Sequence, residues 1–241
     1  EMACKAYFGN RDGILAISGT GSSCFVQKDG IGEIVGGWGH VIGDEGSGYH
    51  TVMQVFKNIA YKFDRNIPFD PLSKAILEII GGSTRSDIMN FIYNNEKNKV
   101  AALFPVIVDY ANEGDPYALR LLEHTGKHLA DFTEVALKKK DFKGPVTIGL
   151  KGGVFHSSCC ILSTYIDQLE ERINDFDIIE EDISATKAVC NIFKERGAQG
   201  APYILGHSSK NYPSESCLFL EVCPYTYLIA TKQISYANIS K

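Results

Sequence analysis

Glycine is concentrated in residues 13–48, where apolar runs alternate with glycine-rich turns. The run Ile14–Ile17 is apolar throughout and predicts a buried strand. It leads into Ser18–Ser22, with the sequence SGTGS, and the stretch closes on Gly36–Gly48, with the sequence GGWGHVIGDEGSG. So much glycine costs conformational entropy, and a fold accepts that cost where its backbone must approach another group closely. A strand, a glycine-hydroxyl loop and a helix start are the parts of an anion-binding site.

Each of the two loops leaves two interpretations open. SGTGS lacks the lysine of a Walker A loop, so it is either a tight hairpin or a cradle in which N–H groups and the hydroxyls of Thr20 and Ser22 hold phosphate oxygens. Trp38, the only tryptophan, offers a flat face to a sugar ring or anchors the core. Asp44 and Glu45 are acceptors for sugar hydroxyls or hydrated magnesium, and Asp44 alternatively caps a helix.

Composition excludes several classes of protein. The chain has 241 residues and a formal net charge of −5, without the basic stripe typical of nucleic-acid-binding proteins. It contains no apolar run near the roughly 20 residues that span a bilayer. The seven cysteines include no CxxC pair, which argues against a disulfide framework and a metal cluster within one chain. We therefore expect a cytoplasmic protein with a small-molecule partner, no nucleic acid and no membrane.

Hydrophobic periodicity along the chain predicts an α/β fold. Strands are predicted at Ile14–Ile17, Ser23–Gln27, Gly32–Val35, Val146–Leu150 and Phe176–Ile179. Helices are predicted at residues 1–9, 46–63, Leu72–Ile80, Ser86–Tyr93, Val100–Asn112, Tyr117–Lys138, Ile161–Ile173 and 184–196. In the helix over 46–63, Ser47 is the expected cap. Its expected apolar face is Val52, Val55, Phe56, Ile59, Ala60 and Phe63.

The words GILAISGTGS, GGWGH and GDEGSGY, in this order within residues 13–49, resemble those of the N-acetylglucosamine kinases and the related BadF-type ATPases. Those proteins belong to the superfamily of sugar kinases, heat-shock protein 70 and actin. Downstream, Ile148–Phe155 resembles the family's adenosine strand and turn. The resemblance implies one lobe of an α/β, actin-like (ribonuclease H-like) ATPase, with a mixed sheet flanked by helices and a helical insertion.

The same resemblance implies roles for individual residues. The residues expected to bind ATP, at its phosphates and its adenosine, are Gly19, Thr20, Gly21, Ser22, Gly152 and Gly153. The residues expected to approach the sugar are Gly37, Trp38, Asp44 and, through water or magnesium, Glu45. ATP and Mg²⁺ are the implied cofactors, an amino sugar is the implied substrate, and a homodimer is compatible with the family. The metal ligands are not identified.

Two parts of the family's pattern are missing from the chain. One is the aspartate- and glycine-rich phosphate loop that begins the first lobe. The other is the general base, an aspartate of an Asn-Asp pair that is expected ahead of Glu1, for which Asp12 is a poor substitute. The expected layout is residues 1–12 as the end of a missing first lobe, 13–205 as the second lobe with 64–140 mainly helical, and 206–241 as an unassigned tail.

The leading hypothesis is an ATP-dependent kinase that phosphorylates an amino sugar such as N-acetylglucosamine. One alternative is an ATPase activator that drives electron transfer to a reductase or dehydratase, although Cys24 and Cys159-Cys160 lack the spacing expected of cluster ligands in such activators. Another alternative is a non-catalytic fragment that binds a nucleotide or a sugar.

Overall fold

The computed structural model describes residues 2–187, except for 143, 174, 182, 185 and 186. The strands are β1 (Gly13–Ser18), β2 (Ser22–Lys28), β3 (Ile31–Gly36), β4 (Val146–Lys151) and β5 (Phe176–Ile179). The helices are α1 (Met2–Phe8), α2 (Gly48–Asp64), α3 (Pro71–Ile79), α4 (Arg85–Asn94), α5 (Lys97–Ala101), α6 (Phe104–Asn112), α7 (Pro116–Lys140), α8 (Gly153–Ser157) and α9 (Cys159–Glu170).

The five strands form one mixed sheet in the order β3-β2-β1-β4-β5, which confirms the predicted sheet type. The first three strands pair antiparallel, and β1, β4 and β5 pair parallel. The turn between β2 and β3 is Asp29-Gly30, where both residues have positive φ, as a tight hairpin requires. In the parallel pair, Ile17 lies opposite Lys151. The segments that follow β1 and β4 therefore emerge side by side at one edge of the sheet.

Long helices cover the sheet and bury its apolar strands. Ile14 and Leu15 of β1 are fully buried, as the continuous apolar run predicts. Helix α7 packs against β1 and β2 and also against α9. At the α7–α9 contact, a Cβ on Gly126 would lie 2.7 Å from the carbonyl oxygen of Ile161. Glycine therefore allows the two helix backbones to approach closely.

Three sequence expectations about helices are corrected. The single helix expected over Val100–Asn112 is two helices, α5 and α6, and Pro105 lies in the first turn of α6, where its missing N–H is tolerated. In α2, Ala60 and Phe63 are exposed rather than buried, because the residues that face the core end at Ile59. The helix expected from Ile161 begins at Cys159, because Ser158 caps it, and the short helix α8 precedes it.

Other expectations lie partly or wholly outside the described residues. These are the helix over 184–196 and the tail over 206–241. Within the part that is described, no helix is long and apolar enough to cross a membrane.

Candidate functional site

The turn after β4 touches the hairpin after β1. Gly152 has a φ of 103°, a backbone conformation that side-chain-bearing residues rarely adopt. A Cβ added there would lie 2.2 Å from the carbonyl oxygen of Ser18. The position therefore demands glycine, both for its backbone angle and for its closeness to the hairpin. The expected phosphate hairpin and the expected adenosine turn are neighbours in the fold.

The hairpin is also bonded to the segment over 43–48. The Ser18 hydroxyl donates to the carbonyl oxygen of Gly46 at 2.7 Å. The Ser22 hydroxyl donates to the carbonyl oxygen of Glu45 at 2.5 Å. Two backbones meet directly where the N–H of Gly48 donates to the carbonyl oxygen of Gly19 at 2.8 Å. Three glycine-rich segments, two from residues 13–48 and one from the turn after β4, thus converge at the carboxyl ends of β1 and β4.

Asp44 lies where these three segments meet. Its φ of 62° is left-handed, and its carboxylate accepts a hydrogen bond from the backbone N–H of Ser22 at 3.2 Å. The other carboxylate oxygen forms an ion pair with Lys97 of α5. Asp44 does not cap α2, since Ser47 accepts the capping bond from the N–H of His50 at 3.1 Å. The carboxylate thus braces the hairpin against α5.

Lys97 was not predicted from the sequence. Its ammonium lies over the hairpin tip, since a Cβ on Gly21 would come within 2.6 Å of its Nζ. The two partners of the ion pair are 53 residues apart, and Lys97 begins a five-residue helix without a distinctive motif. No local pattern in the sequence could have identified this contact.

The predicted hairpin residues differ in what they offer to a ligand. Gly19 faces open space, and Thr20 is exposed at the tip. The side chain and backbone N–H of Ser22 are already committed to Glu45 and Asp44. The N–H and the carbonyl of Gly19 are also bonded within the chain, at 2.9 Å to Gly21 and 2.8 Å to Gly48. Ser22 and the Gly19 backbone therefore shape the hairpin, whereas Thr20 and the open side of Gly19 present surface that a ligand can contact.

The loop over 37–43 projects away from the core. Trp38 is 75% exposed, which excludes its interpretation as a core anchor. Val41 and Ile42 are exposed as well, and Gly37 turns the chain into the loop with a φ of 71°. Glu45 is half-buried, and no hydrogen bond or ion pair of its carboxylate occurs among the described residues. The loop thus offers an apolar face near a carboxylate that lacks a bonded partner there.

The described cysteines are scattered through the fold. Cys4 and Cys24 are buried, and desolvation raises the pKa of Cys24 to about 12. Cys159 is exposed at the start of α9, and Cys160 is half-buried beside it. Across residues 2–187, less the five undescribed positions, no three histidine, cysteine or acidic side chains are grouped to hold a metal ion.

Curated relatives of the chain are named as amino-sugar kinases. The chain is 35% identical over 132 residues to the N-acetylmuramic acid/N-acetylglucosamine kinase of Clostridium acetobutylicum, which covers 54% of the chain and 43% of that protein. It is 28% identical over 131 residues to the N-acetyl-D-glucosamine kinase of Dictyostelium discoideum, which covers 53% of the chain and 41% of that protein. Each match spans less than half of the relative's own length.

Solved structures confirm the fold class, an actin-like α/β lobe. A candidate N-acetylglucosamine kinase from Chromobacterium violaceum superposes with a TM-score of 0.64 at 24% identity, over 80% of this chain and 63% of that one. Its counterpart from Porphyromonas gingivalis gives a TM-score of 0.59 at 20% identity, over 78% and 62%. At these identities the likeness establishes the fold alone.

The sequence model of the BadF/BadG/BcrA/BcrD ATPase family matches residues 2–190. The match includes β1 to β5, the hairpin and the segment over 43–48. Because it covers most of the 241 residues, the chain belongs to the BadF/BadG/BcrA/BcrD ATPase family.

Proposed function

We propose that this chain is part of an ATP-dependent kinase that phosphorylates a hydroxyl of an amino sugar, such as N-acetylglucosamine. The observation that carries the proposal is the convergence of three glycine-rich segments at the carboxyl ends of β1 and β4. Ligands of open α/β sheets bind outside the carboxyl ends of the strands. The names of the curated relatives support the amino sugar as substrate class.

The ATP half of the proposed site consists of the hairpin and the turn after β4. A Cβ on Gly19 or Gly153 would meet nothing within 4 Å, so a ligand can approach the backbone at both places. We assign the phosphates to the hairpin tip, where the Thr20 hydroxyl is exposed, and the adenosine to Gly152-Gly153. The ammonium of Lys97 lies over the tip, and the N–H groups that its pair with Asp44 leaves unused can donate to bound phosphates.

The sugar half of the proposed site is the segment over 37–45. Trp38 presents its face to solvent and suits stacking on a sugar ring, and Gly37 positions it. Glu45 is the better candidate for contacting a sugar hydroxyl or hydrated Mg²⁺, because its carboxylate has no bonded partner among the described residues. Both oxygens of Asp44 are engaged inside the chain, so its contact with the sugar stays a prediction.

In such a reaction ATP supplies the phosphoryl group, and Mg²⁺ and fixed donors neutralise the charge on it. The residues of this chain would then bind and orient the two substrates, because positioning and electrostatic stabilisation account for most of the catalysis. The proton acceptor stays a prediction: an aspartate ahead of Glu1, in a first lobe. The cytoplasmic location and the homodimer also stay predictions.

A coupled assay of ADP release tests the proposal. It compares the 241-residue chain with the same chain extended at its N-terminus, each with N-acetylglucosamine, glucosamine, N-acetylmuramic acid or, as a control, glycerol. We expect ADP release that depends on the amino sugar in the extended protein and little in the chain alone. If neither protein releases ADP with any amino sugar, the kinase proposal is wrong. An amino sugar that then still raised the melting temperature would favour a binding protein.

One observation supports the alternative function, an ATPase activator: Cys159 is exposed at the start of α9. An activator that transfers electrons needs a cluster, and Cys159 would supply only one of its ligands. Analysis of iron and sulfide in protein purified without oxygen separates the two functions. A stoichiometric cluster would replace the kinase proposal, and its absence would leave the kinase favoured.

A further inference from the structure

A groove of about 360 Å³ lies between α2 and α7. Its lining includes none of the residues assigned above to ATP or the sugar. The polar lining comes chiefly from His50, Gln54, Asn58, Arg120, His124 and His128. The volume falls at the low end of the range for small-molecule sites, about 300 to 1,000 Å³.

The groove is built from two facing helical stripes. His50, Gln54 and Asn58 follow one another at intervals of four on α2, as Arg120, His124 and His128 do on α7. Residues at this spacing share one face of a helix. At one end of the groove the rings of His50 and His128 meet edge to face, with centroids 5.2 Å apart.

Hydrogen bonds join α2 and α7 on the floor of the groove and at the end opposite the two histidine rings. On the floor, the buried hydroxyls of Thr51 and Thr125 share a hydrogen bond of 2.7 Å. At the far end, Tyr117 donates to the carbonyl oxygen of Gln54 at 3.3 Å. These contacts join α2 to α7 on the floor of the groove and at its far end, so the groove is formed without a ligand.

The charge in the groove differs from that of the chain. The chain has 29 acidic residues and a net charge of −5, yet no carboxylate lines the groove. Three of the six histidines and an arginine line it instead. No ion pair of Arg120 occurs among the described residues. Carboxylates outside the lining still act electrostatically on it: Asp70 and Asp115 on Tyr117, and Glu45 and Asp44 on His50. Asp70 is bonded to Lys62 at 2.8 Å and to Asn58 at 3.0 Å.

The bonding of the histidines indicates what the groove can accept. The Nε2 of His50 lies 3.0 Å from the amide nitrogen of Gln54, within hydrogen-bond distance. Burial and the neighbouring His128 lower the pKa of His50, to about 4. In the described part of the chain no histidine group is arranged for a metal ion. The lining therefore fits an anion, with Arg120 as its fixed cation.

We propose that the groove between α2 and α7 binds the phosphate group of inorganic phosphate or a small phosphate ester, with Arg120 and His124 as its donors. A guanidinium donates to phosphate in a fixed fork, and His124, one turn along α7 from Arg120, is placed to donate to a further oxygen of a tetrahedral dianion. A carboxylate has two oxygens in one plane and uses fewer of these donors. This site is independent of the proposed kinase activity.

Isothermal titration calorimetry of the full chain, in chloride buffer at constant ionic strength, tests the proposal. The probes are inorganic phosphate, glucose 6-phosphate and, as a neutral control, glucose. Each titration is repeated with saturating ADP, so that binding at the predicted phosphate hairpin is blocked. We expect saturable binding of at least one phosphate probe that persists with ADP, and none of glucose. Tighter binding of glucose 6-phosphate would identify an ester as the ligand, and equal binding would identify the phosphate ion.

Exposed residues of α7 provide matched variants. Arg120→Gln removes the fixed charge and should weaken phosphate binding by about tenfold or more, as expected for a charge-assisted hydrogen bond. His124→Gln should weaken it less. Lys127→Gln removes a charge from α7 outside the groove and should leave the affinity unchanged. The proposal is overturned if no phosphate probe binds, if ADP abolishes the binding, or if Arg120→Gln and Lys127→Gln behave alike.

Discussion

Replacing Lys97 with methionine tests whether α5 holds the hairpin in place. The variant keeps the length of the side chain but removes the ammonium that pairs with Asp44. The Asp44 carboxylate would then retain one hydrogen-bond partner from the hairpin, the backbone N–H of Ser22. We expect a lower free energy of unfolding and a less ordered hairpin.

The exposure of the pair sets the size of the effect. Leaving one partner of a fully buried ion pair alone costs about 3–5 kcal/mol, whereas an exposed pair contributes about 0.2–1 kcal/mol. The side chain of Asp44 is 5% exposed and that of Lys97 is 26% exposed, so the pair lies between these limits. The bond from Ser22 also compensates part of the charge. We therefore expect Lys97→Met to lower the free energy of unfolding by about 2 kcal/mol.

Urea unfolding, followed by circular dichroism, measures this difference. Lys99→Met is the matched control, because Lys99 is an exposed lysine on the same helix, and its change should stay within about 0.5 kcal/mol. A double-mutant cycle with Asp44→Asn isolates the coupling of the pair, which should exceed about 0.5 kcal/mol. If the two lysine variants are equally stable, or if the coupling is near zero, Lys97 does not brace the hairpin.

The remaining predictions concern the backbone, the loop and pH. Gly152→Ala should destabilise the protein by about 3 kcal/mol or more, because its Cβ would lie 2.2 Å from the Ser18 oxygen. Gly153→Ala is the control and should be neutral or slightly stabilising, because a Cβ there would lie in open space. Equal urea midpoints of the two variants would refute this prediction. Because Trp38 is 75% exposed, Trp38→Ala should change the free energy of unfolding by less than about 0.5 kcal/mol. It should nevertheless raise the KM for the amino sugar about fivefold in the ADP-release assay, because the sugar would lose its stacking partner. An unchanged KM would contradict the stacking role. Since the pKa of His50 falls from 6.5 to about 4 on folding, the unfolded state takes up this proton first, and stability should decrease as pH falls from about 6.5 to 4. His50→Gln should flatten that decrease in urea midpoints, and a slope identical to that of the wild type would exclude His50 as its source.

Local patterns predicted most of the elements that build the site. The apolar run of β1, the turn Asp29-Gly30 and the cap Ser47 each depend on a few neighbouring residues, and each occurs as expected. The helix over Val100–Asn112 was wrong in one detail, because Pro105 lies where one helix gives way to another.

Local sequence patterns could not predict which residues the site residues contact. SGTGS is compatible with a plain hairpin or with an anion cradle, and only the contacts show that Ser22 and the backbone of Gly19 are engaged while Thr20 is exposed. Exposure likewise decided between the two interpretations of Trp38. A short stretch of sequence specifies neither the hydrogen bonding of the hairpin nor the exposure of Trp38, because both depend on which distant residues pack against these positions.

By itself, the sequence determined the fold class, the family resemblance and the positions of the glycine-rich segments, because periodicity and glycine content act over short distances along the chain. Only the tertiary structure decided that Lys97 braces Asp44, that Gly152 must be glycine because of Ser18, and that the histidines of α2 and α7 share one groove. These contacts join residues tens of positions apart. Their geometry follows from the pairing of strands and the packing of helices, which no single segment specifies.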